Sequence, residues 1–290
     1  MSAWQVPVLV AYPYWTKQTS EVLERHSGRF RLMVDSGAFT AWTQGHQIDL
    51  EDYARFLRRL PREWKADAIQ LDVVRQPEAT RANLLRMADM KLGGCTLMPV
   101  ATRGCTEQYL EEVYEVGNYV AAGGTSGPSG GPWVEWISSR AAGRRLHWLG
   151  HTSVPRIKRW RPTSVDSSNV VAGQRYGYIN YYDRGGKLGT VGKKQMANPP
   201  AAFVRTSRKR GFTVKELQRL GDSEAWRGAV RPLGTARRGL ASLVHYTHHL
   251  ARAHDVERHT GTAMFFATAS AQDLQSVFTA MDLMAERGTL

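Results

Sequence analysis

The sequence predicts an α/β fold, and within that class an eight-stranded parallel (β/α)8 barrel of the TIM type. Three observations lead there. Short apolar runs alternate with one-faced helical segments along most of the chain, the pattern of βαβ units. Several runs stop on an aspartate, most clearly Phe30–Val34, which is followed by Asp35-Ser36-Gly37-Ala38. A length of 290 residues suffices for one such barrel or two medium domains, with a substantial core either way.

Taken in order, the strands are expected at Val8–Ala11, Arg31–Val34, Ala68–Leu71, Thr96–Val100, Tyr119–Ala121, Arg145–Leu149 and Thr163–Val165. Between them, Leu50–Leu60 places Leu50, Tyr53, Ala54 and Leu57 at i, i+3, i+4 and i+7, the stripe of a helix with one buried face. Thr80–Met90 and Glu107–Val116 read likewise. The eighth strand is Ala263–Thr268. Ser270 and Asp273 then open a helix that carries Leu274, Val277, Phe278 and Met281 on one side. A helix over Ala236–His254 leads back from strand seven, which makes 167–235 a basic insertion within a single domain, 1–290. A rival reading takes Gln174–Tyr178 as a strand and everything beyond Arg184 as a separate appendage.

The formal net charge of +13 is unevenly placed. Residues 184–238 hold 14 Lys/Arg against 3 Asp/Glu, so this stretch alone carries most of the excess. Phe203, Phe212 and Trp226 interrupt the basic run, an arrangement expected of a surface that meets a polyanion. A merely solubilising charge run is the alternative. Lys193, Lys194, Arg205, Arg208, Lys209 and Arg210 are the candidate phosphate contacts. Two cysteines, Cys95 and Cys105, are too few for a disulfide framework and match no zinc spacing. The N-terminal residues have no basic region before an apolar stretch, and no run approaches the roughly 18 apolar residues of a membrane span. A reducing cytoplasm is the expected compartment, the host's if the chain is phage-encoded.

A strand ending in Asp-Ser-Gly sets a carboxylate at the carboxyl edge of the sheet, where barrel enzymes build their sites. Leu71-Asp72 and Val165-Asp166-Ser167 end in the same way. Three strand-end aspartates suggest a carboxylate-lined pocket, although each could instead be a helix cap or turn residue. His245, His248 and His249 share a helix at i, i+3 and i+4, but they lack the glutamate of a metalloprotease motif and read as a solvated helix face. His151, in the loop after a strand, is a possible phosphate or ribose contact, with an incidental role as the default. Phe39 has the core as its default position.

These segments share an order with a known family. VDSGAF at 34–39, LDVVRQP at 71–77, VAAGGTSG at 120–127, HWLGHTSVP at 147–155 and SVDSS at 164–168 together resemble the tRNA-guanine transglycosylase superfamily. The resemblance is closest to its phage branch of DNA-guanine transglycosylases, and it covers roughly residues 6–180. It implies replacement of guanine in DNA by a free 7-deazaguanine base of the preQ0 kind. Asp166 would be the nucleophile, Asp35 the general acid/base, and Asp72 the reader of the guanine edge. Ser36, Gly37, Phe39, Gly123, Gly124, Leu149 and Gly150 would line the base site. The chain departs from the family in two places. It has no cysteine beyond Cys105, so the zinc module of the tRNA enzymes has no ligands here, the basic insertion takes its place, and no cofactor is expected. The family's guanine-reading glutamine falls near Ala101-Thr102. A tRNA substrate, a hydrolytic glycosylase and a non-catalytic nucleic-acid-binding barrel are the alternatives.

Overall fold

The computed structural model describes residues 4–183, 185–226 and 239–290. In chain order its elements are β1 (Val6–Ala11), α1 (Lys17–Arg25), β2 (Phe30–Asp35), α2 (Ala38–Thr43), α3 (Leu50–Arg59), β3 (Asp67–Ile69), α4 (Pro77–Asp89), β4 (Thr96–Met98) and β5 (Val100–Thr102). There follow α5 (Glu107–Val116), β6 (Tyr119–Gly123), α6 (Gly130–Ala141), β7 (Arg145–Trp148), α7 (Val154–Trp160) and β8 (Ser164–Ser167). The rest comprises α8 (Asn169–Tyr176), β9 (Tyr178–Tyr182), β10 (Leu188–Gly192), α9 (Ala201–Lys209), α10 (Val214–Gln218), α11 (Leu240–Thr260), β11 (Ala263–Thr268) and α12 (Ala271–Glu286).

The chain divides into two compact units. The first comprises Met1–Ser167 with Thr260–Ala267, the second Ser168–His259 with Thr268–Leu290. The first is built on a nine-stranded sheet in the order β4-β3-β2-β1-β11-β8-β7-β6-β5, with parallel pairing. Its two ends, β4 and β5, are separated in sequence only by Pro99, so the sheet is barrel-like and nearly closed. The expected strand Thr96–Val100 is thus cut in two, because proline has no N–H for a ladder. Around the cut, the Met98 carbonyl accepts from Gln70 N at 2.9 Å and the Pro99 carbonyl accepts from Ala121 N at 2.8 Å. Buried Gln70 stitches the gap: its Oε1 accepts from Val100 N at 2.9 Å while its Nε2 donates to the Thr80 carbonyl at 2.7 Å.

Local chemistry explains the elements. β1, VPVLVA, is buried throughout, as a parallel strand covered on both faces must be. α3 buries Leu50, Tyr53, Ala54 and Leu57, the predicted stripe, and starts where Asp49 accepts from Asp52 N at 2.8 Å. α5 starts in the same way, with Thr106 accepting from Tyr109 N at 3.1 Å. Leu9, Met33, Ile69, Met98, Val100, Tyr119, Ala121 and Phe265 form one buried cluster drawn from strands around the sheet.

The second unit corrects two expectations. Phe203, Phe212 and Trp226 are not interleaved surface aromatics. They are buried with Ile179, Tyr181, Val191 and Leu220 in a core of this unit, and Trp226 Nε1 donates to the Leu220 carbonyl at 2.7 Å. The rival strand at Gln174–Tyr178 is instead the end of α8, closed by Gly177 in the left-handed region (φ 69°) before β9 begins. β9 and β10 pair antiparallel. Of the stretch 167–235, residues 184 and 227–235 lie outside the described residues, as do 236–238 of the predicted helix that begins at Ala236. Among the described residues no helix is long and apolar enough to cross a membrane.

Candidate active site

All strands of the first unit's sheet run the same way, so their carboxyl ends share one edge. Asp35 is the last residue of β2, Asp72 follows β3 by three residues, and Asp166 is the third residue of β8. The structure brings the three together, since Asp72 and Asp166 both act on Asp35 electrostatically. Burial and then these two neighbouring carboxylates push Asp35 up to about 7, against backbone N–H donors at Gly37 and Ser36 that favour its charged form. Burial likewise raises Asp72 to about 6. Asp166 is 8% exposed, and its Oδ1 accepts from Gly150 N at 2.6 Å and lies 3.2 Å from His147 Nε2.

The DSGAF loop turns through Gly37, which stands at φ 78° as the residue before α2. A Cβ there would come within 2.4 Å of Pro13 Cδ. Left-handed backbone and the overlap act together, so Gly37→Ala is expected to cost at least about 2 kcal/mol. A chemical melt of the purified variant checks it, and parent-like stability would contradict the strain. Ser36 is fully buried and its Oγ accepts from Ala38 N at 3.4 Å, so its hydroxyl serves the turn.

Phe39 departs from its default place in the core: it is 62% exposed, with the 44% exposed Trp42 beside it at 5.9 Å between ring centroids. The short α2 follows the turn directly and presents these rings outward. The Arg75 guanidinium lies 5.0 Å from the Trp42 ring centre. Gly123 ends β6, and its carbonyl accepts from Trp133 Nε1 at 2.9 Å. Gly124 takes φ 72° beside Arg103. Leu149 is half-buried against the interior cluster, and its carbonyl accepts from the Thr125 hydroxyl. Gly150, expected against a base, uses its amide to hold Asp166 instead.

Other sequence candidates fall elsewhere. His151 is edge-on to Trp148 at 5.7 Å, and burial and Arg156 push it down from 6.5, so it is poorly suited to hold phosphate by charge. The solvated-face reading of His245, His248 and His249 is overturned, because all three are buried in the second unit. His245 Nδ1 accepts from Asn180 N at 3.0 Å, His248 Nε2 meets Ser207 Oγ at 2.9 Å, and His249 Nδ1 meets Tyr182 Oη at 3.4 Å. Each imidazole is bonded separately into the fold, and burial drives His248 down to about 3. Among the described residues no three His, Cys, Asp or Glu side chains are grouped to hold a metal ion. Burial pushes both cysteine thiols up to about 11.

On the second unit, Arg205, Arg208 and Lys209 are exposed and line, with Ala201 and Val204, an open concavity of about 580 Å³ on α9. Lys193 and Lys194 are also exposed, with Lys193 Nζ 2.5 Å from Ser223 Oγ. Arg210 is not a free phosphate ligand, since it pairs with Asp255 at 3.0 Å.

Sequence reasoning missed His147, which is fully buried in β7 and points at Asp166. No pattern local to the sequence marks it, because the link is made by strand register. β7 pairs in register with β8, setting His147 opposite Ser164, two residues before Asp166 and so on the same face. No family model matches the chain, and neither a curated protein nor a solved structure matches it.

Proposed function

We propose that the protein is a base-exchange transglycosylase that replaces guanine in DNA with a free 7-deazaguanine base through a covalent aspartyl-glycosyl intermediate. The observation that carries the reading is the trio of carboxyl groups on one sheet edge in unequal surroundings. Asp35 keeps its proton up to about 7, while Asp166 is held by two contacts to one oxygen. Glycosidic exchange needs this division between a group that attacks and a group that moves protons. The order of motifs shared with the guanine transglycosylases supports the same assignment.

In this reading Asp166 Oδ2 attacks C1′ as the C1′–base bond breaks, and the departing guanine takes its proton from Asp35. The incoming base returns a proton to Asp35, attacks C1′ and releases the Asp166 carboxylate. Asp72 accepts from guanine N1–H and N2–H. Phe39 and Trp42 offer exposed rings on which a base can stack. The base must leave the duplex to reach this edge, at a cost of a few kcal/mol. We count β4 and β5 as two halves of one strand, which makes the sheet an eight-stranded TIM-type barrel with the basic stretch as an insertion after the seventh strand.

DNA is the proposed polyanion. The zinc-module ligands are missing, and the exposed Arg205, Arg208 and Lys209 supply phosphate contacts that tolerate any sequence. Affinity should fall by roughly 0.9 log units per log unit of salt for each phosphate contacted. Neutralising these three residues together should lower that slope by about 2 to 3 without slowing the chemical step. A salt titration of duplex binding checks this, and an unchanged slope would move the phosphate site elsewhere. The function itself is tested by exchanging labelled guanine into duplex DNA and into unmodified tRNA at matched salt. Incorporation into DNA is expected. Labelling of tRNA alone would overturn the substrate, and release of guanine without incorporation would point to a hydrolase.

A further inference from the structure

We propose that His147 is a positioning residue that selects the attacking oxygen of Asp166 and speeds release of the glycosyl group from it. The inference rests on the transglycosylase reading and deepens it. Its basis is a file of polar groups buried inside the first unit's sheet. Tyr119 Oη lies 2.5 Å from Ser164 Oγ, which lies 2.5 Å from His147 Nδ1, and His147 Nε2 lies 3.2 Å from Asp166 Oδ1. Tyr119, His147 and Ser164 are each 3% exposed or less.

Strand periodicity builds the file. Ser164 and Asp166 are two apart on β8, and Ser164 is level with His147 on β7. His147 is level with Ala121, two residues beyond Tyr119 on β6. All four side chains therefore share one face of the sheet. Phe265 of β11 packs edge-on to the imidazole at 6.1 Å, and Arg145 covers the Tyr119 ring at 4.0 Å.

The donor directions assign the tautomer. A carboxylate only accepts, so Nε2 carries the hydrogen and donates to Asp166. Nδ1 then accepts from the Ser164 hydroxyl, whose oxygen accepts from Tyr119 O–H. Every member of the file is satisfied with a neutral imidazole, as a buried network requires. The carboxylate–imidazole–hydroxyl order matches that of a serine hydrolase, but the burial is reversed. Ser164 is 1% exposed, and the carboxylate stands at the strand's carboxyl end. The hydroxyl orients the imidazole, and the imidazole orients the carboxylate.

The consequence for the reaction follows from where charge moves. Both contacts fall on Oδ1, which leaves Oδ2 to attack. In the glycosyl-enzyme Oδ1 is a carbonyl oxygen. As the C1′–Oδ2 bond breaks, negative charge returns to the carboxylate and the two donors strengthen. They favour release more than attack, as preorganised donors do wherever charge develops.

Two variants at His147, and ¹⁵N spectra of the parent and of Ser164→Ala, test this. His147→Leu keeps the volume and removes the donor. It should lower kcat on the order of 10²-fold, leave KM for the free base unchanged, and raise the fraction of covalent adduct trapped on quenching. His147→Gln, which can return an N–H to Asp166, should regain at least tenfold of the loss. Equal activity of His147→Leu and the parent would overturn the proposal, and so would equal losses in both variants with no added adduct. Independently of activity, ¹⁵N spectra of histidine-labelled protein should show His147 with the hydrogen on Nε2, and Ser164→Ala should mix the tautomers. A hydrogen on Nδ1, or a charged ring, would overturn the orientation. A parent protein that exchanges no base would sink the transglycosylase reading instead, and the spectrum would still decide the geometry.

Discussion

Asp166→Asn is expected to abolish base exchange, by about four orders of magnitude or more in kcat/KM, while fold and duplex binding stay close to those of the parent. The size follows from the role, since removing a nucleophile costs on the order of 10⁴- to 10⁶-fold. The selectivity follows from the surroundings. Asparagine has the shape of aspartate, and its Oδ1 can still accept from Gly150 N–H and from His147. What disappears is the negative charge and with it the capacity to bond C1′. Quenched reactions run on denaturing gels should lose the covalent protein–DNA adduct. Near-normal exchange by this variant would remove Asp166 from the nucleophile's role.

Asp35→Asn is expected to fail differently, losing exchange by about 10²- to 10⁴-fold while becoming more stable above neutral pH. Some covalent adduct should still accumulate, because attack itself needs only Asp166. The stability effect has a definite sign. Asp35 titrates near 7 in the folded protein against an ordinary value of 3.8, so the folded state binds the extra proton between these limits. Stability contributed by that proton is present below about pH 4 and is lost as pH rises towards 7. Asparagine has nothing to lose. At about 1.4 kcal/mol per pH unit, the variant's advantage should grow to the order of 4 kcal/mol by pH 8 and vanish near pH 4. Urea unfolding at the two pH values measures it, and a variant less stable at both would show that the carboxylate is not penalised by burial. The parent's exchange rate should rise through about pH 6 as Asp72 ionises and fall through about pH 7 as Asp35 loses its proton. These limbs belong to the interacting cluster rather than to either residue alone.

Much of this site is legible in the chain because strand ends write themselves into sequence. An apolar run followed by Asp-Ser-Gly gives the strand, its end and the turn at once, and β2 with Gly37 forms as that pattern implies. The helical stripe of α3 is equally direct. Phe39 was harder, because an aromatic residue after a glycine turn fits a core or a surface equally well, and only the placement of α2 leaves it open. The histidines of α11 show the opposite failure. Their polarity suggested water, yet neighbours in the second unit supply each ring with a partner and bury it.

By itself, the sequence determined the α/β class, the position of most strands, the uneven charge and the three aspartates at strand ends. All of these depend on residues a few positions apart, where hydrophobic period and turn chemistry act. The tertiary structure alone decided which of those residues face one another. Strand order and register set His147 beside Asp166 across 19 positions, and the strand split at Pro99 pairs with β3 before the proline and with β6 after it. It also turned a basic, aromatic stretch into a unit with its own core, with Phe203, Phe212 and Trp226 inside and Arg205, Arg208 and Lys209 outside. The reason is that burial and carboxylate coupling depend on distances in space. The proton on Asp35 is held first by burial and then by Asp72 and Asp166, none of which a local pattern connects to it.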